Sequence, residues 1–193
     1  MRLRRSSGGA EAATPLERVA IGLASLVLSI GLIALLSGFF AARDPAGVTS
    51  SGSGPGQRFP DQGHAHLAPG ELRPVYNSDP PTSGPHIPAL VQSDGVPLSD
   101  DELLEALELG DVVFTYGTPT PPPALTALAR SVASPFTPAL AAAGQAVIVA
   151  PRAHTTGIDG LAWTRMIHST SAADPRLHDF AEFWLGKGAA GTR

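Results

Sequence analysis

The stretch VVFTYGTPTPPPALTALARSV at residues 112–132, followed by AVIVA at 146–150, decides the fold. VVFTY has the β-branched and aromatic composition of a strand. AVIVA is the short, wholly apolar run that is typical of a buried central strand. Between them the triple proline begins a helix in which Leu125, Leu128 and Val132 recur at helical spacing. Such a strand–helix–strand unit is expected to be parallel and right-handed.

Further elements flank this unit on both sides. Ser99 or Asp100 can cap a short helix over 101–109. LAWTRMI at 161–167 predicts one more strand, antiparallel to its predecessor. Pro175 then begins a last amphipathic helix. The predicted fold class is therefore α+β, a small mixed β-sheet packed with helices.

An apolar segment precedes this domain. Residues 19–42 read VAIGLASLVLSIGLIALLSGFFAA, 24 residues without a charge between Arg18 and Arg43. As a helix this segment measures about 36 Å, enough to cross a bilayer with some tilt. A cleaved signal peptide has an apolar core of only about 7–15 residues, so the length favours an uncleaved N-terminal transmembrane helix.

The distribution of basic residues predicts the orientation of this helix. Four arginines lie in residues 1–18, which makes this segment a basic cytoplasmic tail by the positive-inside rule. The predicted location is the cell membrane, with a single span and an extracytoplasmic C-terminal part. That outer part carries 9 basic and 15 acidic residues.

The outer part divides by composition. Residues 43–60, RDPAGVTSSGSGPGQRFP, are rich in Gly, Ser and Pro and are interpreted as a flexible tether. Residues 61–187 are expected to form the globular domain, in which 61–98 are loop-like and rich in proline. Residues 188–193 are a short tail.

Composition excludes several classes of function. With 13 Lys+Arg against 17 Asp+Glu, the net charge of −4 excludes nucleic-acid binding by bulk positive charge. The absence of cysteine excludes disulfides, thiolate metal sites and cysteine nucleophiles. Phosphate-loop, GxSxG, HExxH and EF-hand motifs are also missing. The remaining candidates for chemistry are the histidines His64, His66, His86, His154, His168 and His178.

Two of these histidines stand out because of their surroundings. His86 ends PPTSGPH at 80–86, where three prolines restrict φ and one glycine permits a left-handed turn. Such a segment is rigid and therefore suited to positioning a ligand. His66 is a candidate for the same role. The alternative is a stiff packing loop in which His86 bonds to a backbone carbonyl. The other four histidines are interpreted as solvated surface residues.

At these residues the chain resembles a family of bacterial membrane-anchored proteins, domain of unknown function 3105. The resemblance covers roughly residues 61–187, and PPTSGPH is its most specific element. The further matches are His66, Pro69, Gly70, Tyr76, VIVAP at 147–151, Ala162, Trp163, Arg165, Phe180 and Phe183.

The resemblance also implies a site for a metal. In the family the helix before the first strand reads roughly HxLEHG, which places two histidines on one helix face. Here Glu105 and Leu109 occupy the two histidine positions, whereas Glu108 is kept. The implied ligands that remain are His66 and His86, with Glu105 and Glu108, for one divalent ion, zinc or copper. Leu109 cannot bind a metal, so the alternative is that this chain has lost the site and keeps only the fold. A soft copper(I) site is disfavoured, since the chain lacks cysteine and has only 2 methionines.

Three functions are compatible with these observations. The favoured one is a non-catalytic accessory or interaction module, held at the membrane to contact another envelope protein. The second is a divalent-metal-binding module built on His66, His86 and Glu105. The third is a degenerate zincin-like hydrolase using Glu108, disfavoured because the helix lacks the histidine pair that would hold and activate a metal-bound water. An enzymatic activity is thus not the expected role.

Overall fold

The computed structural model describes residues 54–190. Five strands form one sheet: β1 (Gln57–Arg58), β2 (Val112–Tyr116), β3 (Val147–Pro151), β4 (Ile158–Ala162) and β5 (Arg165–Ser169). Their order in the sheet is β1-β5-β4-β2-β3. The helices are α1 (Asp100–Leu109), α2 (Pro123–Val132), α3 (Pro138–Ala142) and α4 (Pro175–Trp184).

None of the helices in residues 54–190 has the length and apolar composition that a bilayer span requires. The predicted anchor at 19–42 and the basic tail at 1–18 lie outside the residues that the structure describes. Within the predicted tether, Gln57 and Arg58 pair with β5 in antiparallel register.

The sheet is mixed, as the sequence predicts. Strands β2 and β3 are parallel, with Val113 opposite Ile148, and α2 lies in the crossover between them. Strand β4 pairs antiparallel with β2, along the edge of β2 that lies opposite β3. The fold is thus α+β, with a five-stranded mixed sheet and helices packed against it.

The prediction of a single strand over 161–167 is wrong. This stretch contains the end of β4 and the beginning of β5, which pair as an antiparallel hairpin with Ala162 opposite Arg165. The chain reverses at Trp163 and Thr164, and Thr164 adopts a φ of 59°. A positive φ is uncommon for a β-branched residue. LAWTRMI also lacks the glycine or asparagine that usually marks a tight hairpin turn, so the sequence does not signal this reversal.

Side chains alternate across the sheet and build a core on each face. On one face, Val113, Ile148 and Leu161 pack with the leucines of α1. On the other, Phe114 and its neighbours pack with α2 and α4, where Phe180 is fully buried. The sheet is therefore the middle layer between α1 on one side and α2 with α4 on the other.

Both ends of α1 are fixed, and this helix carries the predicted carboxylates. Ser99 forms a capping box with Glu102 at the first turn. Gly110 ends the helix with a φ of 113°, a conformation that favours glycine. The C-terminal segment then closes on the last turn, since the Ala189 N–H donates to the Glu108 carbonyl at 2.9 Å.

Candidate metal centre

Two loop segments bring His66 and His86 side by side. The His86 N–H donates to the Ala65 carbonyl at 3.1 Å, and the Leu67 N–H donates to the His86 carbonyl at 2.8 Å. These bonds form an isolated parallel bridge between the two histidines. Their ring centroids are consequently 5.4 Å apart.

The PPTSGPH loop is anchored along its length. The Tyr76 hydroxyl donates to the Pro85 carbonyl at 2.9 Å, and the Gln62 N–H donates to the Ser83 hydroxyl at 3.1 Å. The Thr82 carbonyl accepts the Thr164 N–H at 2.8 Å, which ties the loop to the β4–β5 turn. Gly84 has a φ of 136°, and a Cβ there would lie 2.8 Å from the Tyr76 ring. His86 is therefore held on a rigid segment, as the sequence predicts.

Helix α1 supplies the two carboxylates from one face. Glu105 and Glu108 are three residues apart, so their side chains are neighbours on the helix surface. Both residues are buried, with 8% and 5% of their surface exposed. Buried carboxylates of this kind are normally paired or bound to a cation.

The donor atoms of the two loops and the helix converge. Glu108 Oε2 lies 3.4 Å from His66 Nε2 and 3.5 Å from His86 Nε2. The ligand atoms of these three residues all lie within 4.8 Å of one another. Glu105 Oε2 lies 3.3 Å from His86 Nε2, beside this group.

Hydrogen bonding determines which nitrogen of His86 faces the carboxylates as a ligand. Nδ1 lies 3.0 Å from the Gly84 carbonyl, which can only accept, so Nδ1 carries a hydrogen. Nε2 then points at Glu105 and Glu108. Nε2 and Glu105 Oε2 are 3.3 Å apart, a distance that suits either a hydrogen bond or a shared cation. Metal-binding histidines commonly donate their second N–H to a carbonyl in this way.

A third histidine contacts the same carboxylate. His64 Nδ1 lies 3.3 Å from Glu108 Oε1, the oxygen that faces neither His66 nor His86 in the contacts above. Its ring also packs edge-on against Trp163, with centroids 6.2 Å apart.

The structure brings all four sequence-predicted residues together, with His66, His86 and Glu108 as the compact group and Glu105 against His86. His64 was expected to be a solvated surface residue, and its place beside Glu108 was missed. The available signal was its spacing, two residues before His66 in a loop, where both side chains can reach one partner. Leu109 is half-buried and offers no ligand atom.

Three histidines lie outside this cluster: His154 is exposed, and His168 and His178 have surface partners. His168 Nδ1 lies 2.7 Å from Asp159 Oδ1 across the β4–β5 pair. His178 Nδ1 lies 3.9 Å from Glu182 Oε2, one turn further along α4. Both side chains are roughly half exposed, as expected for solvated residues.

Fold and site together define a small α+β domain with a candidate histidine–carboxylate metal centre. The chain belongs to the family described as "Protein of unknown function (DUF3105)", which it matches over residues 71–191. The matched region contains His86, Glu105 and Glu108 but begins after His64 and His66. Comparisons with curated proteins and with solved structures find no match.

Proposed function

We propose that this domain binds one divalent metal ion through His66, His86 and Glu108. The observation that supports the proposal is the convergence of three ligand atoms within 4.8 Å of one another, contributed by two anchored loop segments and a capped helix. The orientation of His86 adds to it, because its Nδ1–H is bound to Gly84 and its Nε2 faces the group. Imidazole nitrogens and carboxylate oxygens are among the ligands that zinc takes in proteins.

Two of the three distances between the ligand atoms suit a first-row metal. Zinc–nitrogen and zinc–oxygen bonds of about 2.0–2.1 Å imply about 3.3–3.4 Å between ligand atoms in a tetrahedron. Glu108 Oε2 lies 3.4 Å and 3.5 Å from the two imidazole nitrogens. Three protein ligands leave one position for water or for Glu105.

Charge and ligand type narrow the choice of ion. Two ionised carboxylates and two neutral imidazoles balance a charge of +2. Imidazole nitrogen favours zinc and copper(II) over magnesium and calcium, which prefer oxygen ligands. We therefore propose zinc or copper(II) as the bound ion. This assignment replaces the accessory module as the preferred function, because the observed cluster supports ion binding directly.

We further propose that the site lies outside the cytoplasm on a single membrane anchor. The support is in the sequence: 24 residues without a charge at 19–42, and four arginines before them. An envelope protein that accepts or donates the ion is the corresponding kind of partner.

Metal content of the full-length protein tests the proposal. The protein is purified in mild detergent without a His tag, exchanged against zinc or copper(II), and analysed by mass spectrometry. We expect one equivalent per chain in the wild type and in His178→Ala, a control at a surface histidine outside the cluster. We expect loss of the ion in His86→Ala and in Glu108→Gln, with circular dichroism confirming that each variant is folded.

Thermal unfolding provides an independent readout. An ion at about 100 times its Kd stabilises the folded state by about 2.7 kcal/mol, and this gain should vanish in Glu108→Gln. A wild-type protein that retains no zinc or copper(II) and shows no thermal shift with either ion would refute the proposal.

A further inference from the structure

Glu108 presents its two carboxylate oxygens to different histidines. Oε2 lies 3.4 Å from His66 Nε2 and 3.5 Å from His86 Nε2, within the proposed centre. Oε1 lies 3.3 Å from His64 Nδ1. One carboxylate therefore joins two neighbouring positions, each with at least one nitrogen ligand. We call them the inner position (His66, His86, Glu108 Oε2) and the outer position (His64, Glu108 Oε1).

The ligands differ sharply in their access to solvent. The side chain of His86 is 0% exposed and that of Glu108 is 6% exposed. By contrast, 49% of the His66 side chain and 40% of the His64 side chain are exposed. A cation in the inner position is consequently enclosed on the side of His86 and Glu108 and accessible to solvent on the side of His64 and His66.

His64 is held where an arriving ion would meet it. Only Ala65 separates it from His66 in the chain, and the His86 N–H fixes the backbone there by donating to the Ala65 carbonyl at 3.1 Å. The edge-on contact with Trp163 restricts the ring. The outer position thus combines a restrained imidazole with a carboxylate oxygen, but it has too few ligands to retain an ion by itself.

We infer, on the basis of the proposed metal site, that the ion binds transiently at the outer position each time it enters or leaves the inner position. The ion would come from a labile source, either the hydrated cation or a weak small-molecule chelate. Dehydration is costly when all water ligands leave together. If the ion passes from Oε1 to Oε2 of the Glu108 carboxylate, its water ligands can be replaced one at a time. This stepwise replacement speeds both uptake and release of the ion.

Exchange kinetics of the full-length protein test this inference. Zinc uptake and zinc removal by a chromophoric chelator are followed by stopped flow for the wild type, His64→Phe and His178→Ala. Phenylalanine keeps a ring against Trp163 but removes the nitrogen ligand. We expect His64→Phe to slow uptake and removal by the same factor, on the order of tenfold, a figure taken from the lower end of the activity losses that follow changes around metal sites. The Kd and the stoichiometry of one stay unchanged, and His178→Ala behaves as the wild type.

Other outcomes would overturn the inference in distinguishable ways. Faster release with a weaker Kd in His64→Phe would make His64 an ordinary ligand of the inner position. Equal rates in all three proteins would mean that His64 takes no part in zinc exchange. Two zinc ions at equilibrium in the wild type, falling to one in His64→Phe, would make the outer position a permanent site. Absence of bound zinc in the wild type would instead remove the proposed function itself.

Discussion

Raising the pH from about 4 to about 8 is expected to destabilise this domain through the carboxyl group of Asp111. Asp111 follows α1 directly and is 1% exposed. Its Oδ1 accepts the Ala146 N–H at 2.7 Å, whereas its Oδ2 has no hydrogen-bond partner among residues 54–190. Burial raises the pKa of this carboxyl from 3.8 to about 8, because an unpaired charge is poorly solvated there.

The sign follows from proton binding in the two states. Between the two pKa values Asp111 is protonated in the folded protein and ionised in the unfolded chain, so unfolding releases a proton. Its contribution is fully favourable below the unfolded pKa of 3.8 and is lost as the pH rises towards the folded pKa of about 8. At about 1.4 kcal/mol per pH unit, the interval from 3.8 to about 8 gives a loss of at most about 6 kcal/mol. Local relaxation and water entry reduce such penalties, so we expect about 2–5 kcal/mol.

Urea unfolding at several pH values, followed by tryptophan fluorescence, measures this loss. Asp111→Asn should remove the corresponding pH slope, while distant groups that are the same in both proteins cancel in the difference. Asp94→Asn is the matched control, because Asp94 likewise accepts a backbone N–H, that of Val149 in β3 at 2.8 Å, but lies at the surface. It should retain the wild-type slope. Parallel stability curves for wild type and Asp111→Asn would refute the reasoning.

Three further substitutions test the helix that carries the carboxylates. Ser99→Ala removes the capping box of α1 and should lower the free energy of unfolding by about 1 kcal/mol in urea titrations. Gly110→Ala forces a side chain into a φ of 113° with its Cβ 3.0 Å from the Gly186 carbonyl carbon, and should cost about 1–3 kcal/mol in the same assay. Glu105→His places an imidazole where a carboxylate now lies 3.3 Å from His86 Nε2, and should tighten zinc binding about tenfold in chelator competition, unchanged affinity being the contrary result.

The elements with strong local signals were predictable from the sequence. Strands β2 and β3 and the helix between them follow from apolar runs and a triple proline, and α4 begins at Pro175 as expected. The β4–β5 hairpin was not predictable, because its turn places Thr164, a β-branched residue, at a φ of 59°. The sequence also does not decide whether β4 pairs with β2 or with β3. Each of these two strands has a second edge that can accept an antiparallel strand, and β4 pairs with that of β2.

The candidate site shows the same division. The resemblance drew attention to His66, His86, Glu105 and Glu108, and these residues do lie together. The long-range step that it could not supply is the isolated bridge between His66 and His86, formed by two loops without regular secondary structure. The position of His64 depends on that bridge, which explains why it was assigned to the solvated surface.

Glu105, at a position where the resemblance implies a histidine, affects the electrostatics of the cluster as well as its ligands. Glu105 and Glu108 are buried neighbours on one helix face, and like charges in that relation destabilise a helix. His86 Nε2 lies 3.3 Å from one carboxylate and 3.5 Å from the other, so a single imidazole faces both. A divalent ion bound as proposed would relieve this repulsion at the contact between α1 and the PPTSGPH loop. Ion binding in this chain should therefore stabilise the contact between helix and loop, and an ion of charge +2 should do so better than one of charge +1.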